Sequence, residues 1–335
     1  MPKEVTRTEI PTAFDVCGPL TQVNTKVTSD TGRVFRNTRT YELGWVDDPN
    51  YTPKKPTDPR TKRLEVGSVT SIIDNQLRNF GLESWREGWI RDGLAENDGQ
   101  VITPELAGEI MSASTQEADT SAALGVELHS LIEALLSDKT GDVEPRDWGE
   151  WSDQLDPAMH GFLQWREAHS NLRLIGTELG VWCHHDRQTQ LNKFNVSYGG
   201  QVDALFEADD VLVAVDWKSS SAIYESAAMQ LAAYCYALEE MLETRQSMLD
   251  SLNGHAMLPR RVLGLIVRFD NDYPKKFDGS KNRSQPKIFS GKVEEATVKT
   301  VDWFPAFMNC YDLKAARKKI RGTLLPVPAP EGEQL

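Results

Sequence analysis

Cysteine is scarce and scattered. The chain has four, Cys17, Cys183, Cys235 and Cys310, in 335 residues, and none forms the close C-x-x-C pairs used by structural zinc and most iron–sulfur sites. Reduced, mostly buried thiols are expected. No apolar run approaches the roughly 20 residues needed to cross a bilayer, which excludes a spanning helix. The opening stretch "MPKEVTRTEIPTAFDV" carries charges without the roughly 7–15-residue apolar segment of a secretory signal, so a cytoplasmic location is expected. Positive charge is also short: 37 Lys and Arg stand against 50 Asp and Glu, a net −13. Long-range attraction to a polyanion is therefore weak.

What is present is the composition of a globular protein, 39% hydrophobic and 26% charged, long enough for one large domain or two ordinary ones. Charge is unevenly spread. Residues 260–321 hold 15 Lys and Arg against 7 Asp and Glu, so that segment is +8 and the remainder −21. A basic face on an acidic protein and an ordinary solvated surface both fit this. Residues 1–65 are poor in periodic apolar pattern and include the proline- and charge-rich "DDPNYTPKKPTDPRTKR", which suggests an N-terminal arm or small subdomain. Residues 66–325 form the main domain, and residues 326–335 lack the apolar content to pack and are expected to be disordered.

Within the main domain, Ser68 or Thr70 can cap a helix with apolar positions Ile72, Ile73, Leu77 and Phe80. In "TSAALGVELHSLIEALLSD", Leu124, Leu128, Leu131, Ile132 and Leu135 recur with helical spacing. A tryptophan-rich helical stretch over 148–169 precedes a strand over 173–184. Two more strands follow in "GGQVDALFEADDVLVAVDWKSS", then an alanine-rich helix over 224–243. A strand fits "RRVLGLIVRF" and a last helix fits "FPAFMNCYDLKAARKKIRG".

The paired strands hold the chemistry. If Asp209 and Asp210 are the central residues of a tight hairpin, Ala208 faces Val211, and counting outward brings Asp203 opposite Asp216. Alternation puts Lys218 on the same side as Asp216. Two carboxylates opposite one another destabilise a sheet unless a cation compensates. Lys218 alone supplies one in an ion pair; a divalent metal, bound through carboxylate oxygens with positions kept for water and phosphate, supplies more. Spacing leaves both open. His129 lies in line with Gly125 and Glu133 at i, i+4, i+8 and can point at the sheet edge or sit as a boundary histidine. Gln230 and Tyr234 are an i, i+4 polar pair in the alanine-rich helix.

These segments, in this order, resemble the RecB-like exonuclease branch of the PD-(D/E)xK nuclease superfamily, which includes phage-encoded enzymes and the mitochondrial genome maintenance exonuclease. "ALGVELHSLIE" is similar to its G-x-x-x-H-x-x-x-E helix, "GGQVDAL" to its G-x-x-D strand, "VAVDWKSS" to its D-x-K strand and "QLAAY" to its Q-x-x-x-Y helix; "SVTSII" also suits the branch. The resemblance spans residues 66–236. It implies an α/β restriction-endonuclease-like core with a central mixed sheet flanked by helices. It further implies a Mg²⁺- or Mn²⁺-dependent DNA exonuclease acting in recombination, repair or replication. The expected partners are DNA with a free end, single- or double-stranded, and a recombination or replication protein. A bacterial or phage-infected cytoplasm is the implied setting. The cysteine cluster of a related iron–sulfur-containing group is missing, so no such centre is expected.

By the same resemblance Asp203 and Asp216 are metal ligands, with His129 and the backbone carbonyl of Trp217 as further ligands; Glu178, on the preceding strand, is either an acidic member of the site or a surface-facing strand glutamate. Lys218 positions the water and offsets transition-state charge. Gln230 and Tyr234 hold the lysine, the water or the scissile phosphate. A restriction-type or structure-specific endonuclease of the same superfamily and a non-catalytic DNA-binding recombination subunit are the rival expectations. Outside the motifs, His184 and His185 either touch DNA or metal or end a strand in solvent. Trp85, Trp89, Trp148, Trp151 and Trp165, helically spaced, are expected mostly in the core rather than stacked on bases.

Overall fold

The computed structural model describes residues 21–28, 34–45, 62–74, 76–77, 80–137, 152–188, 193–208, 211–251, 261–274 and 287–321. Asp209, Asp210, Trp148, Trp151, Cys17 and the tail 326–335 lie outside them, as do the side chains of His184 and His185. The strands are β1 (Thr21–Thr28), β2 (Val34–Trp45), β3 (Lys62–Ser68), β4 (Arg173–Gln188), β5 (Lys193–Ala208), β6 (Val211–Lys218), β7 (Arg261–Asp272) and β8 (Ile288–Val298). The helices are α1 (Val69–Asp74), α2 (Phe80–Glu96), α3 (Pro104–Ser137), α4 (Ser152–Ala168), α5 (Glu225–Ser251) and α6 (Thr300–Arg321).

Among the described residues one mixed sheet of eight strands runs β1-β2-β3-β5-β6-β7-β8, with β4 on β5 as a branch. The pairs β3–β5 and β6–β7 are parallel and the others antiparallel. A parallel pair needs a crossover, and α5 supplies it between β6 and β7. Strand alternation divides the core into two layers. Leu212 and Ala214 of β6 pack with Tyr198, Val202, the α5 alanines and Phe307 of α6. Val213, Val215 and Trp217 pack on the other side with Leu128 and Ile132 of α3 and with Phe162 and Trp165 of α4. Helices thus cover both faces, the α/β core expected. The alanines explain why α5 approaches so closely: Ala228, Ala232, Ala233 and Ala237 are buried, and the Tyr198 hydroxyl donates to the Ala233 carbonyl at 3.1 Å.

Several elements differ from the periodicity-based expectations. The apolar run after Ser68 is two helices rather than one, α1 and α2. Helix α3 begins at Pro104, well before the leucine-rich repeat, because Thr103 caps it through its Oγ1 to the Leu106 amide and Pro104 occupies a first-turn position where no amide is needed. Residues 21–45 contain β1 and β2, and residues 288–298 form the edge strand β8, whose burial alternates from Ile288 to Glu294 and slips one place at Glu295. Cys183, Cys235 and Cys310 are buried thiols outside any disulfide, and burial raises the pKa of Cys235 and Cys310. Trp165 belongs to the core, while Trp85 and Trp89 are partly buried and packed edge to face.

Candidate active site

The site lies where the edge of β5 forks. Strand β3 pairs with β5 only at Gly67–Tyr198 and Ser68–Gly199. Strand β6 pairs with the same edge from Ala208–Val211 to Ala204–Val215. Between these two ladders Gly200 to Asp203 have neither partner strand on that edge. Strands β3 and β6, which run toward each other along β5, both end there, leaving this stretch of the β5 edge open.

The counted register holds at Ala208–Val211, but the ladder stops before Asp203 and Asp216. Instead the Asp203 carboxylate accepts the Trp217 amide at 2.8 Å. The side chain replaces a lost ladder bond, so the ends of β5 and β6 remain joined while they splay. Layer membership also breaks here: Tyr198, Val202 and Leu205 share one layer, and Ala204 and Phe206 the other. Across the ladder, Glu178 falls between the pairs Thr177–Ala204 and Leu179–Val202, at the register position of Asp203. Its φ of 50° is left-handed, a costly backbone state for a glutamate and the kind of strain that concentrates at functional sites.

Asp216 is 3% exposed. Lys218 Nζ lies 2.8 Å from its Oδ1 and 2.7 Å from its Oδ2. Only Oδ1 receives a well-aligned hydrogen bond; Oδ2 is buried without one. His129 of α3 enters with Nδ1 3.6 Å from Asp203 Oδ2. That spacing suits an ion pair, but the titration directions oppose it. Burial pushes Asp203 well above the usual carboxylate range and Asp216 pushes it further, against Lys218 and the Trp217 amide. Burial lowers His129, and Lys218 lowers it more, against Asp216 and the Trp217 backbone. Both groups lean neutral, so this contact is not an ion pair. Burial also opposes the charge on Lys218, but Asp216 and Asp203 outweigh it and hold the ammonium above its ordinary value. Burial, then Glu133, raises Glu178.

His129, Glu178, Asp203, Asp216, Trp217 and Lys218 are therefore brought together. Among the described residues no three of His, Cys, Asp and Glu already converge as a ready cage for an ion; Lys218 occupies both Asp216 oxygens instead. The donor set nonetheless fits a hard divalent cation. It offers a buried carboxylate oxygen lacking an aligned donor, a second carboxylate whose ionisation needs a neighbouring positive charge, and an imidazole kept neutral and thus able to coordinate.

Gln230 and Tyr234 form a second group. Gln230 Nε2 donates to Tyr234 Oη at 2.9 Å and approaches Thr70 Oγ1 at 3.3 Å. The Tyr234 ring lies on the backbone of Gly200, where an added Cβ would meet Cε1 at 2.1 Å. This accounts for glycine three residues before Asp203. Gly125, one turn before His129, is similarly occupied: a Cβ there would meet Ser219 Oγ at 2.8 Å. Arg268 and Asn271, which touch the segment after Lys218, belong to no sequence motif; the one local signal is an arginine, Arg268, inside the apolar run "VLGLIVRF".

Fold and site together define an α/β core carrying a buried acid–lysine cluster at a sheet fork. A family model described as the PD-(D/E)XK nuclease superfamily matches residues 105–259, from α3 through α5, which suggests a nuclease. Nucleases of that superfamily generally use divalent metal ions, and the superfamily implies a DNA substrate. The solved structure titled "Crystal structure of SSO0001" is similar over 68% of this chain and 85% of that chain, with 12% sequence identity and a TM-score of 0.26. No curated protein matches. Among the described residues no helix is long and apolar enough to cross a membrane.

Proposed function

We propose that the chain is a Mg²⁺- or Mn²⁺-dependent DNA exonuclease of the RecB-like type. The observation that carries this is the clustering of Asp203, Asp216, Lys218 and His129 at the fork of the β5 edge, with Asp216 Oδ2 buried and lacking an aligned donor. Asp203, Asp216, His129 and the Trp217 carbonyl would hold the ion, with Glu178 alongside. When bound, such an ion activates a water and neutralises charge on a phosphodiester.

The protein's own groups do the rest. Lys218 is held charged chiefly by Asp216, so it acts by orienting the attacking water and offsetting charge as the transition state forms, not by accepting a proton. Gln230 and Tyr234, tied to each other and to Thr70, would order the fork toward the scissile phosphate. DNA with a free end is the substrate, in recombination, repair or replication, on the strength of the motif resemblance.

The test is incubation with linear and covalently closed circular DNA in Mg²⁺, in Mn²⁺ and in EDTA. Metal-dependent loss of the linear form alone is expected. Loss of both forms would make it an endonuclease, and loss of neither a DNA-binding subunit.

A further inference from the structure

We propose that Arg268 and Asn271 of β7 are positioning residues for Lys218, acting through the backbone of Ser219 and Ser220. The catalytic meaning of this device rests on the nuclease reading above; its geometry does not.

Lys218 ends β6, and β6 has already left β5 after Val215, so no ladder on that side fixes the chain beyond it. On the other side Lys218 pairs with Arg268 in the parallel β6–β7 ladder. Register partners share a sheet face, which sets two cations side by side, a repulsive arrangement unless each is neutralised. Lys218 is drawn to Asp216. Arg268 is drawn the other way: Nη2 lies 2.9 Å from Asp270 Oδ1 and 2.8 Å from Glu294 Oε2, and Nε lies 3.0 Å from Glu294 Oε2. Burial opposes the guanidinium charge, but Glu294 and Asp270 more than restore it.

This leaves Nη1, which donates to the Ser220 carbonyl at 3.1 Å. Three residues on, the amide of buried Asn271 donates to the Ser219 carbonyl. Two consecutive carbonyls just past Lys218 are thus held by side-chain donors from β7. The opposite side of the turn is closed by Gly125 of α3, against which Ser219 packs. The turn therefore fixes the end of β6 between β7 and the helix that carries His129. A planar guanidinium can serve two carboxylates and a carbonyl at once; an ammonium in its place cannot hold that fork.

The experiment compares Arg268→Lys and Asn271→Ala with the parent protein in two ways. In metal-free protein, the rate of Lys218 acylation by an amine-reactive ester is followed by mass spectrometry, with the other lysines as internal reference. With linear DNA and Mg²⁺, kcat and KM are measured. Both variants are expected to acylate Lys218 several-fold faster while other lysines are unchanged. Both should lose about tenfold or more in kcat with little change in KM, since small misplacement near the chemistry carries costs of that order. If every lysine of Arg268→Lys reacts faster, that variant has loosened globally and Asn271→Ala decides. Unchanged Lys218 reactivity in a folded variant overturns the inference whatever the cleavage result. A parent protein that cuts nothing, combined with Lys218 acylation that still responds, overturns the nuclease reading and leaves the positioning role standing.

Discussion

Replacing Asp203 by asparagine separates the structural from the chemical cost of the acid pair. Asparagine keeps a carbonyl oxygen that can accept the Trp217 amide, now 2.8 Å from Asp203 Oδ2, and removes the negative charge buried next to Asp216. Folding raises the Asp203 pKa, so the folded protein binds more protons than the unfolded chain. Its stability is then fully present below the unfolded carboxyl value and is lost as pH rises through the folded one. The variant lacks that loss. In EDTA it should match the parent near pH 3.5, then gain on it as pH rises, reaching an advantage of about 1 kcal/mol at pH 8, within the range for relieving an active-site strain. In a chain of 335 residues that corresponds to about 1–2 °C in Tm. Mg²⁺ should reverse the order: an ion at a hundredfold excess over its Kd stabilises the parent by about 2.7 kcal/mol, and the variant by much less. Melting scans with EDTA and with Mg²⁺ across this pH range measure both effects. A variant no more stable than the parent at pH 8 in EDTA, or an advantage independent of pH, would refute the account of Asp203.

Asp216→Ala and Lys218→Ala should each abolish measurable cleavage in a folded protein, checked by circular dichroism alongside the DNA assay; near-parental rates in either would sink the site assignment. His129→Ala should lower activity and lower the ratio of rates in Mn²⁺ over Mg²⁺, because imidazole suits the transition metal better; an unchanged ratio and rate would leave His129 a boundary histidine. Gly200→Ala should destabilise by about 1–3 kcal/mol, since the new methyl meets the Tyr234 ring at 2.1 Å, and denaturant unfolding that finds less than half a kcal/mol, roughly the surface-substitution range, would contradict that packing. Replacing Arg317, Lys318 and Lys319 of α6 together by alanine should weaken DNA binding in Ca²⁺ and make the dependence of log affinity on log salt shallower; an unchanged slope would mean that DNA enters by another face.

The acid–lysine cluster was legible in the chain because its geometry is local. A period of two carries the pairing from Ala208–Val211 outward to Ala204–Val215 by counting, one step short of Asp203 and Asp216, and the same period puts Asp216 and Lys218 on one side. The helices α3 and α5 were legible for the same reason, their apolar positions recurring with helical spacing. Other features depend on chain segments distant in sequence. The fork in the β5 edge exists only because β3, more than a hundred residues earlier, pairs with Tyr198 and Gly199. Glu178 reads from the sequence equally as a site acid or a surface strand glutamate, and only the alignment of β4 with β5 sets it, with its φ of 50°, at the register position of Asp203. Gly200 and Gly125 could be recognised as motif glycines, but the ring of Tyr234 and the hydroxyl of Ser219 that require them come from other elements. Arg268 looked like part of a basic stretch, whereas tertiary pairing buries it between Glu294, Asp270 and the Ser220 carbonyl. Local periodicity thus determined which side chains share a strand face or a helix line. Long-range pairing, set by contacts whose partners no local pattern identifies, decided where the sheet opens and what holds Lys218 in the opening.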